Sequence, residues 1–142
     1  MSAATTAVNT IQRSGEFIEN APIAAGVILY AGTLAAVNAA GYIVPASDTA
    51  ALTVLGIVQE QPLQSFFDNS AGANGALSVT LKRGAFVLEN SSGAPLTWAN
   101  LGGNALVADD QTVAATSAHS IVAGIFLGFE NGDTTQAIIQ IG

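Results

Sequence analysis

Asn74-Gly75-Ala76-Leu77-Ser78-Val79-Thr80-Leu81-Lys82-Arg83-Gly84-Ala85-Phe86-Val87-Leu88-Glu89-Asn90 carries the clearest structural signal in the chain. Asn-Gly is a turn dipeptide, because both residues tolerate a positive φ. Leu77, Val79 and Leu81 then alternate with Ser78, Thr80 and Lys82. That period of two puts apolar side chains on one face and polar ones on the other, as a half-buried antiparallel strand requires. Gly84 allows a bend or bulge, and Ala85 to Leu88 continue as an apolar run. Lys82 and Arg83, two of the three positive charges in the protein, sit at this bend.

Working outward, the punctuation is that of a β protein. Val27 to Tyr30 and Leu34 to Val37 each follow a glycine, and Tyr42 to Val44 returns after the turn Asn38-Ala39-Ala40-Gly41. Ser47-Asp48-Thr49 suits the cap of a short helical turn before Leu52. Leu52 to Val58 reads as a buried strand, Gln59 to Phe67 as a connection or edge strand, and Asp68 to Gly75 as a loop of turn residues. Beyond Asn90, strands are expected over Asn104 to Ala108, Ser120 to Phe129 and Thr135 to Ile141, with a turn at Glu130 to Asp133. Ala137, Ile139 and Ile141 share one face of the last strand.

Val54-Leu55-Gly56-Ile57-Val58 and Val122-Ala123-Gly124-Ile125-Phe126 share the pattern Val-x-Gly-Ile-apolar. Each precedes a turn containing Asn-Gly and then an alternating strand that ends in Gly. Either the pattern recurs by chance in a Gly- and Val-rich chain, or the chain holds two related β-units. The expected fold is all-β: a compact antiparallel barrel or sandwich over residues 21–142, preceded by an arm over residues 1–20. The arm is Ser, Ala, Thr and Asn with few anchors, namely Ile11, Phe17 and Ile18, too sparse to bury much area by itself.

Composition excludes several classes. With 3 Lys plus Arg against 10 Asp plus Glu, the net charge is −7, and phosphate neutralisation needs clusters of cations. No nucleic-acid partner is expected. Charged residues make up only 9% of the 142, and mean hydropathy is +0.49, as in a chain that buries much of its surface against partners or repeats in an assembly, or in one that is secreted or membrane-linked. Ala21 to Ser47 is uncharged, but Pro22, Gly26, Gly32, Asn38, Gly41 and Pro45 interrupt it, so no membrane partner is expected. Cysteine is absent, and His119 is the one histidine, which excludes a thiolate or His-rich metal centre. Asp109 and Asp110 are adjacent and would point to opposite faces of a strand. Asp68, Ser70 and Gly72 open like a calcium loop, but Val79 stands where its last acidic ligand belongs. His119 lies in a Ser/Ala loop without a nucleophile elbow. No enzyme, cofactor or metal site is expected.

Several stretches read together: Gly32 to Ala46, Val54-Leu55-Gly56-Ile57, Asp68 to Gly75, Lys82-Arg83-Gly84-Ala85-Phe86, Val107 to Val113 and Val122-Ala123-Gly124-Ile125. In this order and spacing, from Ala24 to the C-terminus, they resemble the capsid cement, or head decoration, proteins of tailed bacteriophages. The resemblance implies a non-enzymatic β protein on the outer surface of the virion, made in the bacterial cytoplasm, that binds the major capsid protein of the expanded head. It also implies a homotrimer with an arm that orders on the shell. Ile11, Phe17 and Ile18 are then candidate arm anchors, and Lys82 and Arg83 candidate rim contacts with the capsid. The alternative is a surface adhesion or head-fibre module whose Asn/Gly/Ser loops bind a host glycan or receptor.

Overall fold

A computed structural model describes residues 17–61 and 64–142. The fold is all-β, as the alternation predicts. Its strands are β1 (Phe17–Pro22), β2 (Ile28–Tyr30), β3 (Leu34–Val37), β4 (Ile43–Pro45), β5 (Thr53–Val58), β6 (Phe66–Asp68), β7 (Ser78–Lys82), β8 (Gly84–Asn90), β9 (Asn104–Val107), β10 (Thr112–Ala114), β11 (Val122–Phe129) and β12 (Gln136–Ile141). Among the described residues there are also two single 3-10 turns, Trp98–Asn100 and Glu130–Gly132.

One sheet runs β1-β7-β5-β3-β4, and a closed barrel runs β10-β8-β12-β11-β9. These are two copies of one arrangement. In the first, Val54 pairs with Ala36 and Gly56 with Ala35; in the second, Val122 pairs with Leu106 and Gly124 with Ala105. The skipped residue is Leu55 in one and Ala123 in the other, so both units carry the same bulge. Ile57 then lies opposite Lys82, and Ile125 opposite Gln140. Loop hydrogen bonds repeat as well. Gly32 N donates to Val58 O and Gly102 N to Phe126 O; Ile23 N donates to Leu77 O and Asn90 N to Thr135 O. The recurrence of Val-x-Gly-Ile thus marks a structural repeat. Its glycines are required by space: a Cβ on Gly56 would collide with the Lys82 carbonyl, and one on Gly124 with that of Gln140.

The repeat extends to the seam, which closes the second unit as a barrel and joins the edges of the first, a five-stranded sheet called the first barrel below, by a single bridge. In the second unit β8 and β10 are parallel, and Glu89 N and Ser91 N donate to Gln111 O and Val113 O at 3.1 and 2.8 Å. In the first unit Ile23 and Ile43 form a single parallel bridge, and Ala24 N donates to Ile43 O at 3.0 Å. The residue matching Glu89 is Pro22, which has no N–H to give. The first barrel therefore closes on one rung where the second has two.

Alternation sorts the core into two layers. Inward side chains of the first unit, among them Ala35, Val58, Val79, Leu81 and Ile43, pack together with Leu29 and Phe67 from the β2-β6 ribbon. Its outward side chains on β3 and β5, Leu34, Ala36, Val54 and Ile57, instead join the interior of the second barrel with Phe86, Ala123, Phe126, Ile139 and Ile141. The first barrel's sheet face thus covers the end of the second barrel at which β8 and β11 begin. Leu34 N donates to Asp110 O across this contact at 2.8 Å, and only Arg83 separates β7 from β8.

Three local expectations are corrected. Residues 17–20, read as arm, are strand: Phe17 pairs with Lys82 and Ile18 with Leu81. Leu77 is not on the buried face of β7; it precedes the strand and is exposed. Ser47 to Thr49 caps no helix, because Asp48 turns outward to the second unit. Its carboxylate accepts from Ala118 N and His119 N, both at 2.9 Å.

Candidate functional site

The joint between the barrels gathers most of the residues singled out in the sequence. Phe17, Lys82, Arg83, Gly84, Ala85 and Phe86 line a cleft of about 260 Å³. β1 brings Phe17 there by pairing with β7, and the change of barrel at Gly84, with φ at 138°, turns Arg83 outward. Arg83 is exposed and Lys82 half-buried, and among the described residues neither makes a salt bridge. Two of three cations in a chain of charge −7 therefore share one cleft with an exposed phenylalanine. Ile18 lies apart from it, half-buried against the first core. Ile11 lies outside the described residues.

A second surface went unread in the sequence. Val87 of β8 pairs with Ile138 of β12, and Leu127 of β11 follows Phe126, the partner of Ile139. The three form an outward apolar row across three strands; Val87 is 44% and Leu127 46% exposed. The matching outward positions of the first barrel are Glu19 and Asn20, Thr80 and Gln59, all polar. A signal existed, since Ile138 breaks the alternation of β12 by standing between Ala137 and Ile139. In a continuous apolar run such as Phe86-Val87-Leu88, however, sequence cannot tell an exposed residue from a buried one.

At the far end of the same barrel, Trp98 is 60% exposed, and its ring stands edge-on to Phe129 with centroids 5.2 Å apart. With Asn90, Pro95, Leu96, Thr97 and Thr134 they line a mostly apolar groove of about 260 Å³. The Asn90 amide donates to Leu96 O and Thr134 O and its carbonyl accepts from Leu96 N, so the groove is a braced surface.

The polar loops are tied to the barrels by hydrogen bonds. Nδ2 of buried Asn69 donates to Ile23 O, Ala24 O and Ala73 O, which ties the Asp68 to Gly75 loop to the first barrel. The Asp68 carboxylate accepts from Ser70 N and Oγ, which holds its pKa below the usual value. His119 Nδ1 lies 2.9 Å from Asp48 O and 3.2 Å from its carboxylate, and the pair joins the two units. Hydrogen bonds from the His119 and Ala118 backbone hold the Asp48 pKa down against partial desolvation. Asp110, in the covered turn between β9 and β10, moves the other way: burial and then the Asp109 charge raise its pKa. Among the described residues no cluster of three or more His, Cys, Asp or Glu could hold a metal ion. No family model matches the chain, and no curated protein and no solved structure matches it either.

Proposed function

We propose that the protein is a non-enzymatic structural component of a phage virion, a cement that binds the outer surface of the expanded capsid. The observation that carries this reading is the cleft at the barrel joint, where Phe17, Lys82 and Arg83 converge in an otherwise acidic chain. A cationic and aromatic cleft suits an acidic loop of a major capsid protein, because an arginine fork pairs with a carboxylate and the ring adds apolar area. The net charge of −7 keeps such a surface from nucleic acid. A cement acts by mass action, binding the expanded lattice and not the unexpanded one, and so stabilises the former. The resemblance to decoration proteins adds the homotrimer and the outer virion surface to this reading. The test is co-sedimentation with undecorated heads of both forms over a concentration series. Saturable binding to expanded heads alone is expected, weakened at least about tenfold by Lys82→Ala with Arg83→Ala, the cost of a few charged hydrogen bonds. Absence of binding to either form overturns it.

One observation favours the second reading, a module that binds a host glycan. An exposed indole beside Asn90, Thr97 and Thr134 offers a flat apolar face with polar groups at its rim, the pattern a sugar ring fits. Glycan-array binding abolished by Trp98→Ala, with head binding absent, would decide for it.

A further inference from the structure

The repeat supplies an internal reference for which surfaces are covered. In the first barrel, the outward face of β3 and β5 carries Leu34, Ala36, Val54 and Ile57, and the second barrel buries it. Leu34 and Ala36 are fully buried and Ile57 is 4% exposed. The register places Asn104, Leu106, Val122 and Ile125 at the same four positions of the second barrel. Three of the four are apolar, yet Val122 is 43% and Ile125 38% exposed, and no described residue covers them. The end of a stacked repeat is ordinarily capped by a polar face. This one is not.

Among the described residues the complementary surface is also open. The covered end of the second barrel offers Phe86, Ile121, Ala123 and Ile141. Their matches at the corresponding end of the first barrel are Ile18, Thr53, Leu55 and Arg83. Ile18 and Leu55 are only half-buried there, and Thr53 and Arg83 are exposed. The described residues thus present a sheet face at one end and an uncovered barrel end at the other, and the contact that would join them already exists once within the chain.

We infer that a second copy of the chain occupies this face. The β9-β11 face of one protomer, through Leu106, Val122 and Ile125, sits on the β1-β5 end of the first barrel of the next. The contact is head-to-tail, so it propagates into a closed ring or an open array according to the rotation between copies. Asn104 in place of Leu34, and Arg83 and Thr53 in place of Ile141 and Ile121, make it more polar than the internal contact. It therefore forms and dissociates reversibly. Arg83 belongs to the joint cleft as well, so this contact and the proposed capsid contact share that residue, and association is measured on the free protein without heads.

The test uses two variants of the full chain, Ile125→Asp on the face and Thr53→Asp on the barrel end. Both sites are exposed, so thermal unfolding confirms that each variant folds. In sedimentation velocity over a concentration series, the wild type should associate. Each variant alone should be shifted at least about tenfold toward monomer, as expected for a carboxylate forced into an apolar contact. A mixture of the two should give a dimer and nothing larger, because each retains the surface the other has lost. A wild type that stays monomeric, an Ile125→Asp variant that assembles normally, or a mixture that stays monomeric overturns the proposal. The first of these outcomes is also expected if another segment of the chain covers the face.

Discussion

Asp48 and Asp110 respond to acid with opposite sign. The folded pKa of Asp48 lies below its usual 3.8, so the stability it contributes is present above that value. It is lost as pH falls through the folded pKa. The unfolding midpoint of wild type should exceed that of Asp48→Asn at pH 7, and the gap should close as pH falls through the lowered folded pKa of Asp48. Asp110 is raised by burial, so its charged form is disfavoured in the folded state. Asp110→Asn should leave the midpoint unchanged or higher at pH 7, and calorimetry of the three proteins checks both signs. Gly56 and Gly124 form a pair of another kind, since each faces a carbonyl across the ladder. Gly56→Ala and Gly124→Ala should each cost about 1–3 kcal/mol in chemical denaturation, the usual range for overpacking, although no side-chain contact is lost. These glycines were legible in sequence because they recur in one motif. Asn69 was not: nothing in Asp68 to Gly75 distinguishes a buried amide that binds three carbonyls from an ordinary turn residue.

At the level of elements, the strands were legible wherever apolar and polar residues alternate, as in β7. They were hidden where pairing partners lie far apart in sequence. β1 looks like an arm because its partners, Ile18 with Leu81 among them, are remote and its outer residues are polar. The seam between β1 and β4 has a consequence that hydrogen exchange can read. Pro22 removes one rung, so the Ala24 amide should be less protected than Ser91, its match in the second barrel. Equal protection at the two sites would show that packing of the β2-β6 ribbon, rather than the ladder, sets the opening of the first barrel.

For the whole molecule, two barrels suggest two unfolding transitions, but the shared core argues for one. Leu34 belongs to the first barrel by its backbone and to the second by its side chain. Leu34→Ala should cost about 2–5 kcal/mol, as truncation of a buried leucine does, and should lower the melting of both barrels together. The calorimetric and van't Hoff enthalpies of the wild type should agree, and two resolved transitions would contradict the shared core. That core, like the exposed row of Val87, Ile138 and Leu127, was beyond sequence reading. Alternation assigns residues to one of two faces but does not say what lies over the outer one. The joint also has a mechanical meaning. With Arg83 alone between β7 and β8, the chain has no slack there. A pull that separates the barrels is therefore carried at once by Leu34 N on Asp110 O, by Asp48 on the Ala118-His119 backbone and by the apolar layer between them. Under tension the molecule is a stiff strut, not two beads on a string.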